Sequence, residues 1–132
     1  MKTLQEIFDQ VATHLMTQQE RALDAHYSCR YRTETGLKCA VGCLIENAHY
    51  TSLFENAAAV AITVQSTRGQ LLKDALHKSG IDVHNLSTVN MLRKLQAIHD
   101  DFPIRDWRTL LESVATEYNL NYTTLEQAAT PQ

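Results

Sequence analysis

The stretch Thr3-Leu4-Gln5-Glu6-Ile7-Phe8-Asp9-Gln10-Val11-Ala12-Thr13-His14-Leu15-Met16 sets the class of fold. Leu4, Ile7, Phe8, Val11, Ala12, Leu15 and Met16 recur at the period of a helix with one apolar face. Thr3 and Glu6 stand in capping-box positions at its start. The pattern predicts a helix over residues 3–18, with Gln5, Asp9, Gln10, Thr13 and Gln18 on a solvated opposite face.

The same period returns further on. Leu71, Leu72, Ala75 and Leu76 predict a helix over 70–79, and Gly80 sits where a C-terminal cap belongs. Ser87 or Thr88 starts another helix that turns Val89, Met91, Leu92, Leu95, Ile98 and His99 to the core, and Pro103 stops it. Asp106 is placed to cap a helix carrying Trp107, Leu110, Leu111, Val114, Ala115 and Tyr118 on one face. Leu110, Leu111 and Val114 would serve a homodimer as well as a core. The period leaves residues 56–64 open between helix and strand, and a last turn after Thr124 precedes an end that should fray over 128–132.

Between the first two helices the character changes. Tyr27, Cys29 and Tyr31 alternate with Ser28, Arg30 and Arg32; Gly36 supplies a turn, and Leu37 and Cys39 resume the alternation. That reads as a short hairpin, followed by a helix over about 39–47. With only four glycines and two prolines in 132 residues, the elements should be long. The expected fold is therefore mainly α: a single compact helical domain, 1–132, with a small β-hairpin inserted after the first helix.

All three cysteines, Cys29, Cys39 and Cys43, fall in this one segment. An odd number of thiols in a chain with no apolar leader after Met1-Lys2 argues against a disulfide framework and against secretion. Three readings stay open. Cys29, Cys39 and Cys43 with His99 would make a Cys3His zinc set, although C-x9-C-x3-C lacks the paired C-x2-C spacing. Cys39 at a helix start, with His99 and Asp100 as base and orienter, would make a nucleophile. Small buried side chains are the third reading, with Gly42 allowing close approach of another element.

Arg30, Tyr31, Arg32 and Lys38 form the basic, aromatic cluster of the chain, suited to a phosphate or carboxylate. A net charge of −3 argues against a nucleic-acid partner, although residues 70–96 superficially resemble a helix-turn-helix. The turn from Gly80 to Ser87 is too long for that motif. No stretch approaches the length of a membrane span, and no Walker loop, G-x-S-x-G or H-E-x-x-H motif occurs.

The order C-x-Y-R (Cys29 to Arg32), G-L-K-C-A-V-G-C-L-I (Gly36 to Ile45), Tyr50, L-Q-x-I-H-D (Leu95 to Asp100), Trp107 and L-x-x-V-A (Leu111 to Ala115) resembles a family of short uncharacterised proteins of tailed phages and bacterial genomes. Those relatives often carry I-P-D-E where this chain has Ile45-Glu46-Asn47-Ala48. The resemblance implies a phage or mobile-element accessory protein of the bacterial cytoplasm. Such a protein would bind a host protein or a small anionic signalling ligand of host defence, without catalysis or a cofactor. Arg30, Tyr31, Arg32, Lys38, His99, Asp100 and Trp107 are the contact residues to test.

Overall fold

Thr3 Oγ1 accepts the Glu6 N–H at 3.1 Å and the Glu6 carboxylate accepts the Thr3 N–H at 3.0 Å, closing the capping box on α1, Leu4–Gln18. The computed structural model describes residues 1–55 and 66–122. Within them α2 spans Thr67–Lys78, α3 Leu86–Asp101 and α4 Trp107–Glu117. The chain is mainly helical. The segments at 56–64 and after Thr124 lie outside the described residues.

Each helix boundary has a local cause. Ser66 Oγ accepts from Gly69 N–H to start α2, three to four residues before the apolar period alone suggested. At its end Gly80 takes φ +91°, with Gly80 N–H donating to His77 O and Ile81 N–H to Leu76 O, a Schellman closure over two buried side chains. Asn85, rather than Ser87 or Thr88, caps α3 by accepting from Thr88 N–H. Asp106 makes no side-chain cap; a 3₁₀ turn at Ile104–Asp106 leads into α4 instead.

The apolar faces meet as the periods predict. Ile7, Phe8, Val11, Ala12 and Leu15 of α1 join Met91, Leu92, Leu95 and Ile98 of α3 and Trp107, Leu111 and Ala115 of α4 in one core. Burying side chains of this size contributes about 1.5–3 kcal/mol each. Leu111 and Val114 are buried within this core and Leu110 is half-buried against it, so that face of α4 packs inside the chain.

The segment between α1 and α2 differs from expectation in two places. Among the described residues there is no β-hairpin, only isolated antiparallel bridges of Leu23 with Cys29 and Arg32 with Lys38. The turn at Thr33–Gly36 does form, with Thr33 N–H donating to Leu37 O. Pairing reaches Cys39 N–H on Tyr31 O and ends there, because Tyr31 N–H goes to Glu55 and Cys39 O accepts from Cys43 N–H. Glu55 accepts the Tyr31 and Arg32 N–H groups, while Lys38 N–H and C=O turn to Gln18 and His14. The expected helix over 39–47 is likewise reduced to 3₁₀ turns at Gly42–Leu44 and Asn47–His49. Leu44 and Ile45 N–H bond back only three residues, to Val41 and Gly42, and Glu46 is extended.

One stripe of the polar face of α1 is an interface, while Thr13 stays exposed as expected. Gln10, His14 and Gln18, four residues apart and so stacked on one stripe, bind the backbone of 38–43. Gln10 Nε2 donates to Cys43 O, His14 Nε2 to Lys38 O, and Gln18 both donates to Lys38 O and accepts its N–H. Gln5 clasps Asn121 in the same two-way manner. The irregular segment thus hangs on α1 by side-chain hydrogen bonds, with strand pairing contributing little.

Gly42 is where this arrangement is tightest. A Cβ there would stand 2.0 Å from Tyr31 O and 2.8 Å from Tyr31 C, both backbone atoms that cannot swing away. Gly36 has φ +91° but open space around it. Gly42→Ala should therefore cost about 3 kcal/mol or more, against about 1 kcal/mol for Gly36→Ala, in urea denaturation. Equal losses would show that Tyr31 and Gly42 do not abut.

His14 supplies a pH dependence. Burial lowers its pKa from 6.5, outweighing the raising effect of its hydrogen bond to Lys38 O. The unfolded chain therefore binds a proton more readily than the folded one just below pH 6.5, and stability contributed by neutral His14 is lost as pH falls through that window. Melts at pH 7.5 and 5.0 should show a lower Tm at 5.0, and His14→Gln should shrink the difference. An undiminished difference would assign the effect to other groups.

Candidate functional site

Three side chains of the last turns of α3 reach into the irregular segment. Gln96 Oε1 accepts the Val41 N–H at 2.9 Å, and Gln96 Nε2 donates to Asp100 Oδ1 at 2.9 Å. His99 Nε2 lies 2.9 Å from the Ala22 nitrogen, a backbone donor, so that ring nitrogen accepts. The proton then sits on Nδ1, which donates to Asp100 Oδ1 at 2.7 Å. The Cys29 thiol stands beside this pair, its sulfur within 4.8 Å of ligand atoms of His99 and Asp100. Burial opposes ionisation of Asp100, yet the hydrogen bonds from His99 and Gln96, helped by the nearby Cys29 thiol, outweigh it and hold its carboxyl below the usual range.

A second carboxylate organises the basic cluster. Glu55, 4 % exposed, accepts from Tyr31 N–H, Arg32 N–H and the Tyr50 hydroxyl. Arg30 Nε stands 3.4 Å from it without hydrogen-bond alignment, and another Arg30 nitrogen lies 3.8 Å from Asp24. Arg32 donates to Asn47 Oδ1 and to Ile45 O, and its guanidinium covers the Tyr50 ring at 4.6 Å. Tyr31 is buried edge-on against Phe54. Lys38 is half-buried, its backbone held by α1.

These placements sort the residues singled out by sequence. His99 and Asp100 do come together, and Cys29 joins them. Trp107 is fully buried, stacks on His99 at 5.8 Å between ring centres and donates to Phe102 O. Tyr31, His99 and Trp107 therefore line the interior and present no contact surface. Arg30 and Arg32 are directed into the Glu55 cluster.

The thiols are held in their protonated form. Burial pushes Cys39 well up, and its sulfur accepts from Gly42 N–H. Cys43, raised to about 12 by burial, donates to Ala40 O. Partial burial of its sulfur, then the Asp100 charge, raise Cys29 to about 11. None of these is the depressed pKa that a nucleophile needs. His99 has no free nitrogen to serve Cys39 as base.

The zinc set meets a similar obstacle. Among the described residues Cys29, His99 and Asp100 bring potential ligand atoms within 4.8 Å of one another, but Cys39 and Cys43 are not in that group. An ion on His99 Nδ1 would leave the proton on Nε2, facing the Ala22 N–H donor to donor. An ion on Nε2 would displace that buried hydrogen bond outright. Cys29, Cys39, Cys43 and His99 do not fit a tetrahedral ion in this arrangement.

Three large apolar or aromatic side chains are exposed in the segments next to this cluster, among exposed polar residues that include Ser28, Asp101 and Arg105. Tyr27, two residues before Cys29, is 85 % exposed, and Phe102 and Ile104, just after Asp100, are 40 % and 38 % exposed. Arg21 ties the two segments by donating to Phe102 O at 2.6 Å. Sequence reasoning missed Tyr27 because it resembled one more apolar position of a strand. It missed Glu55 and Gln96 as well. Gln96 carried a signal, a polar residue on the buried face of α3 beside Leu92, Leu95 and His99; Glu55 carried none.

Alkylation of the native protein at pH 7 should label Cys29 about a hundredfold more slowly than an unperturbed thiol and leave Cys39 and Cys43 protected until unfolding. Rapid labelling of Cys39 at pH 6, read by peptide mass spectrometry, would restore the nucleophile. Comparison with known proteins gives no matching family model, no matching curated protein and no matching solved structure.

Proposed function

We propose that the chain is a non-enzymatic binding protein that engages a partner protein through the Tyr27 turn and the adjoining Phe102–Ile104 segment. The observation that carries this reading is the conformation of Tyr27. Its φ is +62°, in the left-handed region that costs an aromatic residue on the order of 1–3 kcal/mol, yet its ring is exposed and so gains little from burial. Such strain needs a surrounding structure that enforces it.

The turn supplies that enforcement. Asp24 Oδ1 accepts from His26 and Ser28 N–H, Tyr27 N–H donates to Asp24 O, and Asp24 N–H donates to Ser28 O. Arg30 and the bridge of Leu23 with Cys29 brace its base. A tyrosine held this way loses little freedom on binding, which is how aromatic anchors gain affinity at protein interfaces.

A small anionic ligand is the weaker reading, because Arg30 and Arg32 are engaged with Glu55, Asp24, Asn47, Ile45 and Tyr50. The sequence resemblance to phage proteins supports a partner in a bacterial host, and the cytoplasm is the proposed compartment. No helix among the described residues is long and apolar enough to cross a membrane.

A photo-crosslinking residue at position 27, expressed in a bacterial host, should give one discrete protein adduct. The same residue at exposed Gln70 should not give it, and Phe102→Ser should weaken the adduct several-fold without moving Tm. Identical products from both positions, or none from position 27, would remove the reading.

A further inference from the structure

Outside the cysteine segment, two histidine rings meet at the connection between α2 and α3. His77, in the last turn of α2, and His84, in the turn before α3, are both exposed, with ring centres 6.3 Å apart and planes at 63°. Among the described residues neither ring has a hydrogen-bond or ion-pair partner. Among those residues the four ring nitrogens are uncommitted, unlike those of His99, whose two nitrogens are both engaged.

We propose that His77 and His84 form a two-imidazole site for a borderline divalent cation, Zn²⁺, Ni²⁺ or Cu²⁺. Imidazole suits these ions, with bonds of about 2.0–2.1 Å. Two imidazoles on one tetrahedral ion have ring centres ~5 Å apart, given those bond lengths. The rings must therefore close by roughly 1 Å, a movement within reach of exposed side chains that pivot about χ1 and χ2.

The backbone beneath them is fixed, so the ion does not have to order it. Gly80 and Ile81 close the Schellman motif, and Lys2 N–H donates to Gly80 O at 2.7 Å. His84 N–H donates to Asp82 Oδ1 and Asn85 N–H to Asp82 O, while Ile81 and Val83 are buried in the core. Both Cα positions are held, and only two side chains lose freedom on binding. Two protein ligands leave the remaining coordination positions to water or to a carboxylate of another molecule.

Cys29, His99 and Asp100 are the other group of potential ligands among the described residues, so the test is run on the full chain carrying Cys29→Ser to keep the readout on the two histidines. Chelator-treated protein is titrated with Ni²⁺ and Zn²⁺ by calorimetry, alongside thermal melts. The expected result is one ion per chain, tighter for Ni²⁺ than for Zn²⁺. Tm should rise by about 10 °C at a hundredfold excess over the midpoint. His77→Ala and His84→Ala should each abolish the shift and leave the metal-free Tm unchanged, since both rings are exposed, and His26→Ala should retain it. Undiminished binding in the His77→Ala/His84→Ala double variant overturns the proposal. So does a midpoint above about 0.1 mM, at which even 1 mM ion gives only a tenfold excess and a correspondingly small shift.

Discussion

Gln96, His99 and Asp100 occupy one turn of α3, and through them a regular helix dictates the path of a segment that has almost no secondary structure of its own. Val41 N–H ends on Gln96 and Ala22 N–H on His99, while Asp100 accepts from both of those side chains. A buried N–H left without an acceptor costs about 1–3 kcal/mol, so each bond fixes its loop residue by the penalty of losing it. The bonds are also mutually dependent. Gln96 can turn its oxygen to Val41 because its nitrogen is taken by Asp100, and His99 can accept from Ala22 because its proton is held by the same carboxylate. Removing Asp100 would free both side chains to choose the wrong orientation or tautomer.

Glu55 plays the corresponding part for residues 30–32, and the pair explains why the basic cluster is structural. A buried carboxylate needs several donors to remain ionised. The Tyr31 and Arg32 N–H groups, the Tyr50 hydroxyl and the Arg30 charge supply them. Of these donors the Tyr31 N–H is the one that faces residue 39 and would otherwise extend the ladder, since Arg32, opposite Lys38, turns its N–H away. Glu55 and a hairpin compete for the Tyr31 amide, and the carboxylate wins because its alternative is burial without partners.

This competition also marks where the sequence was legible. The helices were readable because their cause is local: apolar spacing, Thr3 with Glu6, Gly80, and Pro103 after α3. Their faces were readable for the same reason, down to His99 among the buried residues of α3. Segment 19–50 was not, because what shapes it comes from far away in the chain: Gln10, His14 and Gln18 of α1, Glu55, and the seam on α3. Alternation of Tyr27, Cys29 and Tyr31 reports side-chain polarity, and it cannot report that a distant carboxylate has claimed the amides. Gly42 was the one local clue to tertiary contact, a glycine among small apolar residues that the Tyr31 backbone does approach. For the candidate site, His99 and Asp100 were found as a pair, but with roles reversed. They appeared as reactive groups and are instead the acceptors that hold loops.

On the proposed reading, a partner would meet what the internal network leaves exposed. Around the Asp100 end of the molecule the large apolar side chains so exposed are Tyr27, Phe102 and Ile104, beside Asp101 and Arg105. The two are linked physically. The loop carrying Tyr27 closes at the bridge of Leu23 with Cys29, Cys29 lies beside Asp100, and Phe102 follows the same helix end and accepts from Arg21. A network that consumes its charged and thiol groups to build a rigid frame gives up reactivity. It gains fixed geometry at the surface residues that the frame carries, which is the property a recognition loop needs and an active site built on these thiols would lack.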